Sequence, residues 1–366
     1  MASIAHLTSA HPRDDTRIFL KQCRTMAETG HAVTLIVADA KGSDWIDGVR
    51  IIDVGAESGR LGRILRSTKK VFDCAASLDV EIYVIHDPEL LPYGMKLRRS
   101  GRKVIFDSHE DVPKQVLGKP YLGRLPAIML SRSYGQYERY ACHQFDGIVG
   151  ATPYIRDKFK KINLKTIDIN NYPILDEFNA NTEWSAKTFQ ACYVGNISAI
   201  RGIREMVHAC SLLRSPASLT LAGTFETSAL AAEVTKIAGW RRVKALGHLN
   251  RAGVRDVMAQ SICGLVTLHP QENYLDALPV KMFEYMAAGI PVIASNFPIW
   301  REIIQDNECG ICVDPLNPAS IAEAIDFLAT RPEQAKQMGL NGRRAAMEKY
   351  NWRCESRKML DFYDNL

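Results

Sequence analysis

No stretch of this chain is apolar for anything near the roughly 20 residues that a helix needs to cross a bilayer. That excludes a helical membrane span within the sequence. The start, Met1 to Ser9, is apolar for only a few residues and carries no basic flank. It reads as a first buried strand rather than a secretory leader. The nine cysteines lack the dense spacing of a disulfide framework and read as reduced, cytoplasmic thiols. Cys309 and Cys312 have the spacing of a redox or half-zinc pair, but no second pair accompanies them. A Gly-rich dinucleotide fingerprint and a Walker loop are missing, so two common phosphate loops are excluded. There is also no Asp-x-Asp pair of the sort that holds a metal-bound diphosphate. Basic residues are not interleaved with aromatics and no recognition motif accompanies them, which argues against nucleic acid as a partner.

What is there suits a soluble globular protein. The 366 residues are 46% hydrophobic and 24% charged, enough for two cores. Charge is uneven. Residues 1–172 hold 26 Lys+Arg against 20 Asp+Glu, leaving 20 against 21 for the remainder. The whole excess of positive charge therefore lies in the first half, which suggests that this half faces something anionic.

Short apolar runs alternate with amphipathic stretches throughout. Strands are expected over residues 4–7, 33–38, 49–54, 82–85, 104–106, 147–150 and 166–169, then 189–194, 218–222, 243–246, 264–267, 291–294 and 310–313. Apolar strands separated by helices argue for parallel sheets covered on both faces. A Pro-containing break, Asn170-Asn-Tyr-Pro173, separates the halves, and two helical stretches end the chain. The expected domains are 1–172 with a returning helix of about 350–366, and 173–349. Ligands of such sheets bind beyond the carboxyl ends of the strands.

Several polar residues fall on those loops. Gly195-Asn196 opens a turn that leads through Arg201 into a helix, so backbone amides, a helix amino end and a fixed cation could meet a phosphate. Asp276, Lys281 and Glu284 occupy a loop and helix start of the kind that grips a hydroxyl-rich ligand. Histidines stand at five strand ends: His11, His86, His109, His248 and His269. His109 could hydrogen-bond a sugar hydroxyl or move a proton. Asp15 and Asp87 read as helix caps, and Arg17 faces either ligand or water. Arg60, Arg63, Arg66 and Lys70 recur at helical spacing beside Leu61, Ile64, Leu65 and Phe72. This basic amphipathic helix is compatible with an anionic membrane surface. A second basic cluster follows at Lys96 to Lys103.

Three stretches together resemble the GT-B glycosyltransferases, most closely the retaining family 4. They are His6-Leu-Thr-Ser-Ala-His-Pro-Arg-Asp-Asp-Thr-Arg17, Tyr193-Val-Gly-Asn-Ile-Ser-Ala-Ile-Arg-Gly202, and Leu278-Pro-Val-Lys-Met-Phe-Glu-Tyr-Met-Ala-Ala-Gly-Ile-Pro-Val-Ile-Ala-Ser295. The resemblance implies two Rossmann-like, doubly wound α/β domains facing across a cleft, with final helices crossing back to the first. It implies that Glu284 holds a nucleotide ribose and that Asp276 lies near the donor sugar, where the family usually has the longer glutamate. Gly195, Asn196, Arg201, His248, Leu278 and Lys281 become donor-site residues. His109, Asp276 and Lys281 lie at the reacting centre, and Arg17 and His86 on the acceptor side.

The function so implied is retaining transfer from a nucleotide diphosphate sugar, with UDP as the family-level expectation. The acceptor is a glycan or lipid-linked glycan of cell-surface polysaccharide synthesis, met at the inner face of the membrane. No cofactor or metal is expected. A non-hydrolysing nucleotide-sugar epimerase shares the architecture, and a catalytically silent nucleotide-sugar-binding scaffold is the reading from a different class.

Overall fold

A computed structural model describes residues 1–118, 122–178 and 184–366, with Arg60 described by its backbone alone. The chain divides into two compact units. One comprises Met1–Asn171 with Glu355–Leu366, and the other Tyr172–Cys354.

The first unit holds strands β1 Ser3–Leu7, β2 Ala32–Val37, β3 Asp44–Ile46, β4 Val49–Asp53, β5 Ile82–Ile85, β6 Lys103–Ser108, β7 Gly147–Gly150 and β8 Thr166–Asp168. They form one sheet in the order β3-β4-β2-β1-β5-β6-β7-β8. All pairings are parallel except β3 with β4. The strand interiors are apolar on both faces because helices cover both sides. The order reverses between β1 and β5, which places the loop ends of those two strands at a switch point. The helix Trp352–Asp364 completes this unit from Glu355 onward. Glu355 accepts from the Asn170 backbone N–H at 2.6 Å. The Phe362 ring lies so close to Gly147 that a Cβ there would stand 2.8 Å from it.

The second unit carries β9 Gln190–Val194, β10 Ser218–Ala222, β11 Val243–Ala245, β12 Cys263–Val266, β13 Val292–Ser295 and β14 Gly310–Val313. This sheet is fully parallel, in the order β11-β10-β9-β12-β13-β14. Its switch point lies between β9 and β12. Tyr285, on the helix Val280–Ala287, is fully buried. Its ring lies over Gly264 of β12, where an added Cβ would stand 2.3 Å from ring carbons. Its hydroxyl accepts from the Val194 N–H at 3.2 Å, so one side chain ties this helix to the end of β9.

All nine cysteines are free. Burial pushes the Cys309 thiol up to about 12 and raises Cys312 as well, so neither is a ready thiolate.

Candidate functional site

In the second unit the chain leaves β9 through Gly195, whose φ of 106° few other residues adopt. The turn is pinned from outside it. Gly195 N–H donates to Ala222 at 2.8 Å, and the Tyr193 hydroxyl donates to the Asn196 carbonyl at 2.7 Å. Gly223 packs so tightly that a Cβ there would lie 1.9 Å from the Gly195 carbonyl oxygen. Gly202, at φ 81°, then starts the helix Ile203–Leu212, and a Cβ on it would strike the Thr267 carbonyl at 2.2 Å. The turn is thus fixed in place before any ligand arrives.

Two basic side chains converge on it. A Cβ at Gly195 would stand 3.4 Å from Lys281 Nζ and 3.9 Å from Arg201 Nη1. Arg201 also donates to the Asn196 carbonyl at 3.3 Å. Lys281 Nζ is buried with no hydrogen-bond partner, 3.8 Å from the centre of the Tyr193 ring. Burial holds its pKa well below the usual lysine range; Arg201 pushes the same way, and Glu284, one turn along the helix, opposes. An unpaired buried amine beside a second cation is expensive to keep, and an anion at Gly195 would relieve it.

The other expected donor residues differ in exposure. Glu284, Asp276 and Leu278 are half-buried, while His248 is exposed beyond β11 and Asn196 is exposed on the turn itself. The loop before the lysine helix is held by Trp300, whose Nε1–H donates to the Ala277 carbonyl at 2.7 Å. Glu205 and His269 stand 3.1 Å apart beside the switch point, a pairing that the sequence does not announce.

In the first unit the loop ends of β1, β5 and β6 gather four histidines around Asp107. His86 Nδ1 and His109 Nε2 lie 3.1 and 3.2 Å from Asp107 Oδ2. His6 Nδ1 lies 2.9 Å from His86 Nε2, with the two rings stacked. His11 tilts against His109 at 4.9 Å between centroids. Burial lowers His6 strongly and lowers His86, so both are neutral. Burial also lowers His11, but its bond to Asp15 and the charges of Asp87, Asp15 and Asp107 outweigh that and raise it. With His6 donating through Nδ1, His86 keeps an N–H for Asp107, and the partnerless His6 Nε2 is a lone pair rather than a stranded donor.

Arg17 and His86, expected on the acceptor side, are both enclosed. Arg17 is 4% exposed and grips Asp107 with Nε at 3.0 Å and Nη2 at 2.5 Å, while Nη1 donates to the Ile169 carbonyl. His86 is fully enclosed. Both present no free face; they support Asp107, and through it His109, which keeps 17% exposure. Asp15 caps the following turn, accepting from Arg17 and Ile18 N–H at 2.8 and 2.9 Å. Asp87 makes no helix cap. Its carboxylate instead accepts from Thr8 Oγ1, Ser9 N–H and Ala10 N–H, fastening the loop after β1.

His86, Asp107 and His109 could also be read as three metal ligands, since their donor atoms all lie within 4.8 Å of one another. The donor set does not favour an ion. Asp107 Oδ2 already accepts from Arg17 Nε and Gln22 Nε2 and faces the His86 N–H, so it is crowded with donors. A guanidinium against the same carboxylate adds repulsion.

The basic helical stretch after residue 59 differs from its expected free charge. Arg63 pairs with Glu89 at 2.8 Å, and Arg66 and Lys70 both pair with Glu57, at 3.3 and 2.8 Å. The Arg60 side chain lies outside the described residues.

These two units, each a doubly wound sheet with polar groups gathered at its switch point, define the GT-B class of α/β fold. Sucrose-phosphate synthase from Thermosynechococcus elongatus superposes with a TM-score of 0.80 at 18% identity, over 100% of this chain and 99% of that one. HepE of Anabaena, solved with UDP and glucose, gives 0.74 at 14% identity over the full length of both. Family descriptions match both units: "Glycosyl transferase 4-like domain" over residues 16–168 and "Glycosyl transferases group 1" over residues 176–345. The chain belongs to the group 1 glycosyltransferases. It is 25% identical to alpha-maltose-1-phosphate synthase of Mycolicibacterium smegmatis over 185 residues, 47% of this chain and 46% of that protein. It is 32% identical to the GDP-mannose-dependent alpha-(1-6)-phosphatidylinositol monomannoside mannosyltransferase of Mycobacterium tuberculosis over 88 residues, 24% and 23% of the two. The matched region is thus under half the length of either relative.

Proposed function

We propose that the protein transfers a sugar, with retention, from a nucleotide diphosphate sugar to a glycan or lipid-linked acceptor at the inner membrane face during cell-surface polysaccharide synthesis. The observation that carries this reading is the buried, partnerless Lys281 ammonium site beside Arg201 at the Gly195 turn. Two basic side chains at a helix amino end suit a diphosphate, whose charge grows as the sugar leaves. Preorganised groups of this kind contribute about 3 kcal/mol each to transition-state stabilisation. In this reading they take the place of a metal ion. Glu284 holds the ribose hydroxyls, Leu278 and His248 flank the donor, and Asp276 meets the sugar. His109, steadied by Asp107, contacts a sugar hydroxyl at the reacting centre. The acceptor attacks from the face the diphosphate leaves, and a diphosphate oxygen takes its proton. Uridine is the favoured base because a solved structural neighbour holds UDP and glucose.

The test is a donor screen in which nucleotide sugars are incubated with a lipid-linked acceptor extract and released nucleoside diphosphate is read. UDP-sugar turnover that requires acceptor is expected. Sugar conversion without acceptor would identify an epimerase instead. Thermal stabilisation by UDP should vanish in Glu284→Ala, and an unchanged shift would remove that residue from the ribose.

A further inference from the structure

The helix Arg124–Gln144 buries Ala127, Ser131, Glu138, Ala141 and Cys142 on one face. Its other face is unusual. Leu125 is 74% exposed, Met129 72%, Leu130 48% and Tyr140 57%. Leu125, Met129, Arg132, Gln136 and Tyr140 follow one line at spacings of three and four residues, so they share a single side. Arg132 and Arg139 are exposed along the same side. No acid stands among them. The single carboxylate of this helix is Glu138, which is buried and paired with Lys158 at 2.6 Å. The preceding helix Val112–Leu117 buries none of its residues and adds Leu117, 42% exposed. The Ser131 hydroxyl donates to the Pro113 carbonyl at 2.9 Å, fastening the two helices together.

We infer that this face docks on an anionic lipid bilayer. Leu125 and Met129 would enter the boundary between headgroups and acyl chains, and Arg132 and Arg139 would meet lipid phosphates. Charge complementarity selects this occupant. A bilayer offers apolar depth and negative charge together. A nucleic acid would leave the leucines without a role, and a face of one charge sign opposes pairing with a second copy of itself. The stretch following residue 59 also exposes Leu61 and Leu65, but its described cations Arg63, Arg66 and Lys70 are spent on Glu89 and Glu57. The inference rests on the proposed inner-membrane site of action and names the surface that meets the membrane.

The experiment is co-sedimentation of the full chain with vesicles, at near-physiological salt, of phosphatidylcholine alone or with about a quarter phosphatidylglycerol. Neither donor nor acceptor is present, so the result is independent of the transferase assay. Partitioning about tenfold stronger into the anionic vesicles is expected. Both Leu125→Asp/Met129→Asp and Arg132→Glu/Arg139→Glu should reduce it to the level seen with phosphatidylcholine, with UDP-dependent melting shifts unchanged as proof of folding. The pair Arg63→Glu/Lys70→Glu should leave binding intact. The inference is overturned if wild type stays in solution, if the first two double variants still sediment, or if the third alone abolishes binding. A dimer that the same substitutions dissociate, without vesicle binding, would assign the face to protein contact and equally overturn it.

Discussion

Lys281 Nζ rests 3.8 Å from the centre of the Tyr193 ring and has no hydrogen-bond partner. Burial lowers its pKa strongly and Arg201 adds to that, which favours a neutral amine. A diphosphate beside it favours the ammonium. UDP binding near neutral pH should therefore take up a proton, seen as a buffer-dependent heat in calorimetry. Lys281→Met should abolish the uptake and weaken affinity about tenfold to a hundredfold, the worth of a hydrogen bond to a charged group. Binding heats independent of buffer would show that Lys281 is already charged or does not meet the ligand.

Arg17→Met should cost about 3–5 kcal/mol of stability, because it strands the buried Asp107 carboxylate. Asp107 also sets an acid limb. Burial alone would raise its pKa, but Arg17 and the neighbouring histidines overcome this and hold it well below the ordinary value. A depressed carboxylate stabilises the fold above its unfolded pKa of about 3.9 and loses that contribution as pH falls towards the folded value. Urea midpoints should thus decline below about pH 4 in wild type, and less steeply in Asp107→Asn. Parallel declines would contradict this account.

The enclosed histidines act in a higher window. His6 and His86 are neutral when folded, with burial as the leading cause, whereas the unfolded chain protonates them near pH 6.5. The unfolded state binds more protons below that pH, so these two groups lower stability as pH drops. His11, raised by Asp15 and Asp87, works the other way. His6→Phe removes one of the two destabilising groups, and its midpoint should fall less between pH 7 and 5 than that of wild type. A slope equal to wild type would mean that His6 does not titrate differently in the two states.

Gly223→Ala should disturb nucleotide binding without touching nucleotide. Its Cβ would lie 1.9 Å from the Gly195 carbonyl, so the phosphate turn must shift. A stability loss of about 1–3 kcal/mol is expected, with a clear reduction of the UDP-dependent melting shift. A full shift would show that the turn tolerates movement.

The parallel strands are legible because burial on both faces leaves unbroken apolar runs such as Leu35–Val37 and Ile82–Ile85. Strand β3 is not, since Asp44 and Trp45 are exposed at a sheet edge and carry no apolar pattern. The helix Pro298–Asp306 also escapes, although Trp300 and Ile304 share a buried face, because its leading proline reads as a loop. That Gly195, Arg201 and Lys281 lie close together follows from their places at strand and helix ends. The partners of His109 are not legible in this way. His6 lies within a strand and Asp107 closes one, and what joins them is the switch point between β1 and β5, a property of strand order that local spacing does not encode. The burial of Arg17 and His86 is hidden for the same reason, since the carboxylate that claims them comes from another strand.

The return of residues 355–366 to the first unit has a consequence for biogenesis. As the nascent chain leaves the ribosome, the sheet β1–β8 is translated first and then waits through the whole second unit. Until Glu355 and Phe362 emerge, the Asn170 amide and the flank around Gly147 stay uncovered. The first unit made is thus the last one finished, and in the interval it offers chaperones a nearly complete sheet with one open flank.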